Sequence, residues 1–286
     1  MKETELITNS DKSIFHLHLH PGELADKIIL VGDPGRVEMI GKNLDSIRIR
    51  RSNREFFTLT GTCSGKEVSV ISSGIGTDNI DILLNELDAL FNYDLTTKKP
   101  LKRKKKLRIV RLGTSGGLQP DLLPGQAIIS GKAIGFDSVM NFYHGIEDIT
   151  DHEFESEFTR HTSWSSRLSR PYIIDASKEL LEKFSITGFI RGMTISTPGF
   201  YAPQGRRLSL ELHDNDLNDK IMSFRYKGQR ILNYEMESSA LYGLSSLLGH
   251  EALTICAAIG NRVTGKFIKD YKPLMNDLSL KILDII

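Results

Sequence analysis

From Lys27 onward, short apolar runs bounded by glycine, proline or polar turns alternate with amphipathic segments. That alternation constrains the fold more than any other feature, because strands and helices taken in turn imply an α/β sheet covered by helices on both faces. Residues 28–31 read as a buried strand ended by Gly32-Asp33-Pro34-Gly35. Residues 56–63, a turn at Ser64-Gly65-Lys66, and residues 67–72 read as a hairpin, so the sheet is mixed. Residues 107–112, 127–130, 190–196 and 253–259 add strands, the first of them ending at Gly113-Thr114-Ser115-Gly116-Gly117. Ile82, Leu83, Leu87 and Leu90 recur near a helical period and predict a helix over 79–90. Further helices are expected over 175–184, 236–248 and 269–286.

The chain has 286 residues, 40% hydrophobic and 26% charged, which suits one folded domain over 1–286 and argues against global disorder. Thirty-seven Lys+Arg against 36 Asp+Glu leave a formal charge of +1, so the chain as a whole is no polycation built for nucleic acid. Cys63 and Cys256 are too few for a disulfide framework or a cysteine metal cluster. No apolar run approaches the roughly 18 residues of a membrane span. The polar start does not resemble a signal peptide, so a reduced cytoplasmic protein is expected. One segment breaks the charge balance: residues 98–106 hold seven Lys or Arg in nine positions, inside a basic insert at 96–106. It reads as a solvated loop between a helix and a strand, with a nucleic-acid or nuclear-targeting patch as the rival.

Candidate chemistry gathers at strand ends. After residues 28–31, Asp33 suits a helix N-cap and Pro34 the first turn, so backbone N–H groups near Gly32 converge on a spot where an anion could bind beside Arg36. Arg111, next to last in an apolar strand before Thr114 and the glycines, is either a phosphate counter-charge or half of a buried salt bridge. Arg54 opens the hairpin and taken alone resembles any edge arginine. Phe200-Tyr201-Ala202-Pro203-Gln204-Gly205-Arg206 places an amide and a guanidinium two residues apart, able to read a planar, amide-like ring. In Glu235-Met236-Glu237 two carboxylates bracket a methionine at a helix start, suiting either a vicinal diol or the helix dipole. Arg262 follows Gly260-Asn261 and needs a partner. His16, His18 and His20 would share a face in an extended segment, yet no carboxylate of obvious geometry accompanies them and no metal is expected.

Taken in order, HLHL, VGDPGR, SNREF, SSGIG, RLGTSG, GFYAPQGR, NYEMES and GNR resemble the nucleoside phosphorylase I family, and within it the uridine-cleaving members, across nearly the whole chain. The resemblance implies a three-layer α/β/α sandwich around a mixed, partly barrel-like sheet. It implies phosphate-dependent, reversible cleavage of uridine to uracil and ribose 1-phosphate in pyrimidine salvage, with deoxyuridine or thymidine as further substrates. Phosphate would be held by Gly32, Arg36, Arg111 and Thr114, together with Arg54 lent by a neighbouring subunit. Ribose would meet Glu235, Met236, Glu237 and a neighbour's His16. The base would meet Phe200, Gln204, Arg206 and Arg262. Arg36, Arg54, Arg111, Thr114 and Glu237 would carry the catalysis. The implied assembly is a homodimer or homohexamer with shared sites, using no cofactor, no metal, no membrane and no nucleic acid. Related purine enzymes protonate the base with an aspartate; here the matching strand end reads Gly260-Asn261-Arg262. The rival readings are a nucleosidase or purine phosphorylase of the same fold, or a non-catalytic binding homologue.

Overall fold

The computed structural model describes residues 2–286. Its strands are β1 (Lys27–Val31), β2 (Ser46–Asn53), β3 (Phe56–Cys63), β4 (Lys66–Ser72), β5 (Tyr93–Asp94), β6 (Lys99–Pro100), β7 (Arg108–Gly117), β8 (Ala127–Gly135), β9 (Tyr172–Asp175), β10 (Ile190–Ser196), β11 (Arg225–Tyr226), β12 (Gln229–Glu235) and β13 (Glu251–Asn261). The helices are α1 (Pro34–Gly41), α2 (Thr77–Asn92), α3 (Ile146–Ile149), α4 (His152–Thr162), α5 (Lys178–Phe184), α6 (Leu217–Ser223), α7 (Ser238–Leu248) and α8 (Lys272–Ile285).

Eleven strands form one sheet in the order β11-β12-β10-β8-β13-β7-β1-β4-β3-β2, with β9 added beside β8. A further pairing of β12 with β7, Asn233 opposite Gly117 and Tyr234 opposite Gly116, closes β7, β12, β10, β8 and β13 into a barrel. The remaining arm, β1-β4-β3-β2, leaves the barrel at β7. Its inner strands are parallel, β1 aligning Leu30 with Arg111 on β7 and Ile29 with Val70 on β4. Parallel strands covered on both faces need continuous apolar runs rather than alternation, which is what residues 28–31 and 109–112 offer, Arg111 excepted. Helices α2 and α3 pack on α7, which lies against β8 and β13; α1, against β3 and β4, meets α8, against β7; α4 and α6 pack together beside β9 and β12, and α5 lies against β13.

Several sequence expectations need correcting. The glycine run 113–117 is not a loop, because β7 continues through it to close the barrel. Helix α7 starts at Ser238, two residues later than expected, since Glu237 occupies the cap. Residues 175–177 belong to the end of β9 and a Ser177 cap rather than to α5. The sequence predicts no strand at β2, β5, β6, β9, β11 or β12 and no helix at α3, α4 or α6. Histidines 16, 18 and 20 do not form one row: His18 has φ +54°, so the segment turns, and His18 and His20 both approach Asp11 while His16 lies elsewhere. His16 Nδ1 pairs with Glu86 at 2.6 Å, while His18 lies 3.1 Å from Asp11. The basic segment is partly anchored, with Lys98 buried on an ion pair to Glu3 and both main-chain groups of Lys105 held by Asn92. Lys99 and residues 102–106 are exposed. Among the described residues no helix is long and apolar enough to cross a membrane.

Candidate active site

A cleft of about 720 Å³ opens where β1, β7, β12 and β13 end at their carboxyl termini, the place where parallel α/β sheets bind ligands. Gly32, Arg36, Arg111, Thr114, Phe200, Gln204, Arg206, Glu235, Met236, Glu237 and Arg262 all line it. Five separate segments of the chain are thereby brought to one space, though they are as far apart in sequence as Gly32 and Arg262.

At one end, β1 stops at Gly32 and Asp33 caps α1, its carboxylate accepting from the Gly35 N–H at 2.8 Å. This turns Arg36 inward, where its guanidinium donates to the Leu112 carbonyl at 3.2 Å. Burial, then the like charge of Arg111, draws Arg36 below the ordinary arginine range. Arg111 is 4% exposed and lies 3.1 Å from Glu235, with Glu237 in direct contact on its other nitrogen. Burial alone would lower it, but the two carboxylates outweigh burial and hold it above the usual range. Gly113 makes the arrangement possible, because a Cβ there would run into the Arg111 guanidinium. Cys256 lies beside the same guanidinium, and burial pushes its thiol up to about 12, so it stays neutral.

The carboxylates form the middle of the cleft. Glu235 accepts from the Ser196 hydroxyl and from the N–H groups of Glu237 and Ser238, each at 3.0 Å, which fastens the first turn of α7. The helix-start role weighed for this pair therefore falls to Glu235. Glu237 accepts from the Gly76 N–H at 2.9 Å, and burial beside Glu235 raises it above the ordinary carboxyl range.

At the far end the charge is positive again. Gln204 is 3% exposed; its amide donates to Thr197 Oγ1 at 3.0 Å and accepts from Arg206. The Arg206 guanidinium stacks 3.7 Å from the centre of the Phe200 ring. Burial, then the charge of Arg262, brings Arg206 down to about 10. Neither Arg206 nor Arg262 has a carboxylate partner among the described residues. Buried guanidinium nitrogens stand without a hydrogen-bond partner at both ends of the cleft, Arg36 Nε and Arg111 Nε at one and Arg262 Nη1 at the other, while Arg111 Nη1 has its ion-pair contact with Glu235. Asn261 contributes no acid. Its amide donates to the carbonyls of Gln119 and Leu122, and its oxygen accepts from the N–H groups of Val263 and Thr264, all within 2.7–2.9 Å.

Arg54 and His16 are not in this cleft. Arg54 sits exposed at the tip of the β2–β3 hairpin at φ +54°, a left-handed conformation unusual for a residue with a side chain. Its guanidinium lies 5.8 Å from the Phe15 ring centre, and Asn53 donates to the His16 carbonyl at 2.8 Å, so Arg54 and His16 form one surface patch. Glu86 fixes His16 through Nδ1 and through its backbone N–H, leaving Nε2 for a ligand. Tyr234, buried in the cleft wall, is a site residue that sequence reasoning did not single out.

The family model described as the phosphorylase superfamily matches residues 26–276. A uridine phosphorylase of Thermococcus kodakarensis is 30% identical over 261 residues, covering 89% of this chain and 80% of the relative. A DeoD-type purine nucleoside phosphorylase of Oceanobacillus iheyensis is 29% identical over 276 residues, covering 95% and 98%. The crystal structure of a Trypanosoma brucei nucleoside phosphorylase that shows uridine phosphorylase activity superposes with a TM-score of 0.87 at 31% identity, over 97% of this chain and 98% of that one.

Proposed function

This chain belongs to the phosphorylase superfamily, and from that premise we propose that it is a uridine phosphorylase, a pentosyltransferase that exchanges uracil for phosphate on ribose. The observation that carries the reading is the cleft's charge order: unpartnered guanidinium nitrogens at either end, with the Glu235 and Glu237 carboxylates between them. One arginine end suits a phosphate dianion, the middle suits sugar hydroxyls, and the second arginine end suits a leaving base that becomes negative.

In this reading Gly32, Arg36, Arg111 and Thr114 orient phosphate below the anomeric carbon, where it is the nucleophile. Charge-assisted hydrogen bonds of about 1.5–3 kcal/mol each hold it there. Glu237 and Met236 position the ribose. As the phosphate oxygen bonds to carbon, the electron pair of the glycosidic bond passes to the uracil ring, which leaves as an anion and then takes a proton. Gln204, Arg206 and Arg262 face that developing charge as fixed donors, and Phe200 offers a face for the ring. No general acid is required, and Asn261, with every amide hydrogen-bonding direction taken by the backbone, cannot supply one.

Arg54 and His16 serve the neighbouring subunit's cleft, which explains their shared patch outside their own. The enzyme works as a homo-oligomer, in the cytoplasm, in pyrimidine nucleoside salvage. Phosphate is its co-substrate, and it uses no metal or other cofactor. The test is uracil or hypoxanthine release from uridine, thymidine and inosine, with and without phosphate. Uridine should be cleaved only with phosphate and inosine poorly. Cleavage without phosphate would indicate a nucleosidase, and inosine turnover matching uridine would sink the pyrimidine assignment.

A further inference from the structure

We propose that Asn218, on α6 outside the cleft lining, is a positioning residue that fixes the base-reading turn; the inference rests on the uridine reading of the cleft. Asn218 ties two parts of the base end together. Its Oδ1 accepts from the Tyr234 hydroxyl at 2.9 Å, and its Nδ2 donates to the Gln204 carbonyl at 3.4 Å. Tyr234 is 1% exposed, lines the cleft and lies close enough to Arg206 and Arg262 to feel both charges.

The turn that Asn218 holds has little freedom of its own. Gly205, between the two base-reading side chains, adopts φ +67°, and a Cβ there would strike the Asn218 amide. From the other side Arg262 donates to the Gly205 carbonyl at 3.2 Å. The main chain from Gln204 to Arg206 is thus gripped between an α6 amide and a cleft arginine. Gln204 in turn has its amide orientation set by Thr197 and Arg206. The edge presented to the base is fixed before a ligand arrives, so little ordering remains to be done on binding.

Phosphate, by contrast, is read from the ends of β1 and β7, which Asn218 does not touch. Loosening the turn should therefore weaken nucleoside binding and leave phosphate binding alone. Asn218→Ala should raise KM for uridine roughly tenfold, the scale of one lost aligned hydrogen bond. KM for phosphate should stay within about twofold of wild type. Tyr234→Phe, which removes one hydroxyl and little volume, should shift the uridine KM in the same direction. The double variant should be no worse than Asn218→Ala alone, because both changes break the same tether.

The experiment is steady-state kinetics of the three full-length variants in both substrates, alongside their melting temperatures. A selective rise in the uridine KM with non-additive coupling supports the clamp. Equal rises in both KM values, additive effects, or a lowered melting temperature with unchanged KM would overturn it and leave Asn218 a structural residue. If the wild-type enzyme does not phosphorolyse uridine at all, the functional reading itself fails and takes this inference with it.

Discussion

Removing the Arg111 side chain should damage stability and catalysis together, and pH separates the two effects. In the native protein Glu235 and Glu237, each 4% exposed, share this one guanidinium. In Arg111→Ala they keep only uncharged donors: Ser196 and two amides for Glu235, and the amides of Gly76 and Met236 for Glu237. Breaking a buried pair from one side costs about 3–5 kcal/mol. At about 2–4 °C per kcal/mol for a large domain, melting should fall on the order of 10 °C near neutral pH. Glu237 already lies above the ordinary carboxyl range through burial, and losing Arg111 raises it further. A carboxyl raised on folding takes up protons in the native state. Its stability contribution is therefore full at low pH and is lost as pH climbs from the unfolded value through the folded one. The deficit of Arg111→Ala against wild type should accordingly shrink between about pH 7.5 and about pH 5. Scanning calorimetry at both pH values measures it. Arg111→Lys keeps the charge, so it should melt close to wild type with little pH dependence of the difference. It lacks the planar fork, so phosphorolysis should still fall roughly 10- to 100-fold. An alanine deficit equal at both pH values, or a fully active lysine variant, would refute the reasoning.

Three further outcomes are expected. Arg54→Ala and Arg36→Ala homo-oligomers should each be nearly inactive, yet mixing them after reversible dissociation should recover roughly a quarter of wild-type activity, since half the random pairs carry one intact site. No recovery, with subunit exchange shown by native mass spectrometry, would place Arg54 outside any neighbour's cleft. Asn261→Asp should not create a purine phosphorylase: it trades two amide donors for a charge facing the Gln119 and Leu122 carbonyls, at about 1–3 kcal/mol per group left unsatisfied. A lower melting temperature without faster inosine turnover is the expected result, and a gain in inosine turnover contradicts it. Replacing Lys102, Arg103 and Lys104 with glutamine should leave uridine kcat/KM unchanged, and a large loss would give the basic segment a part in the reaction.

The strands that could be read in the sequence are those whose local composition matches their burial. β1 and β10 are short apolar runs between turns, and both are largely buried. β2 is the opposite case. Its SIRIRRSN sequence is exposed along almost its whole length, at the sheet edge, where charge discourages further pairing. β12 was hidden for a different reason: Asn233 and Glu235 are buried polar residues, so a strand in the middle of the barrel does not look apolar. The run 113–117 misled because glycine weakens an isolated strand. Here its pairing with β12 and β13 outweighs that weakness, since closing the barrel brings three backbones together at that end.

For the site, residue types were legible and partnerships were not. An arginine in an apolar strand announces that a partner exists, but the partners of Arg111 lie more than a hundred positions away, on the far side of the barrel seam. Only the β7–β12 closure brings them within 3.1 Å. Of the two sequence readings of Arg111, the structure shows the buried salt bridge, to Glu235 and Glu237, and the phosphate role belongs to the proposed function. Glu235, beside Nη1, and Glu237, on Nη2, pair with the guanidinium and hold it rigid, while Nε has no hydrogen-bond partner. A buried arginine with one edge satisfied and another unpaired costs stability when the site is empty. In the proposed reaction phosphate offsets that cost, so the carboxylates that hold the guanidinium also aim it.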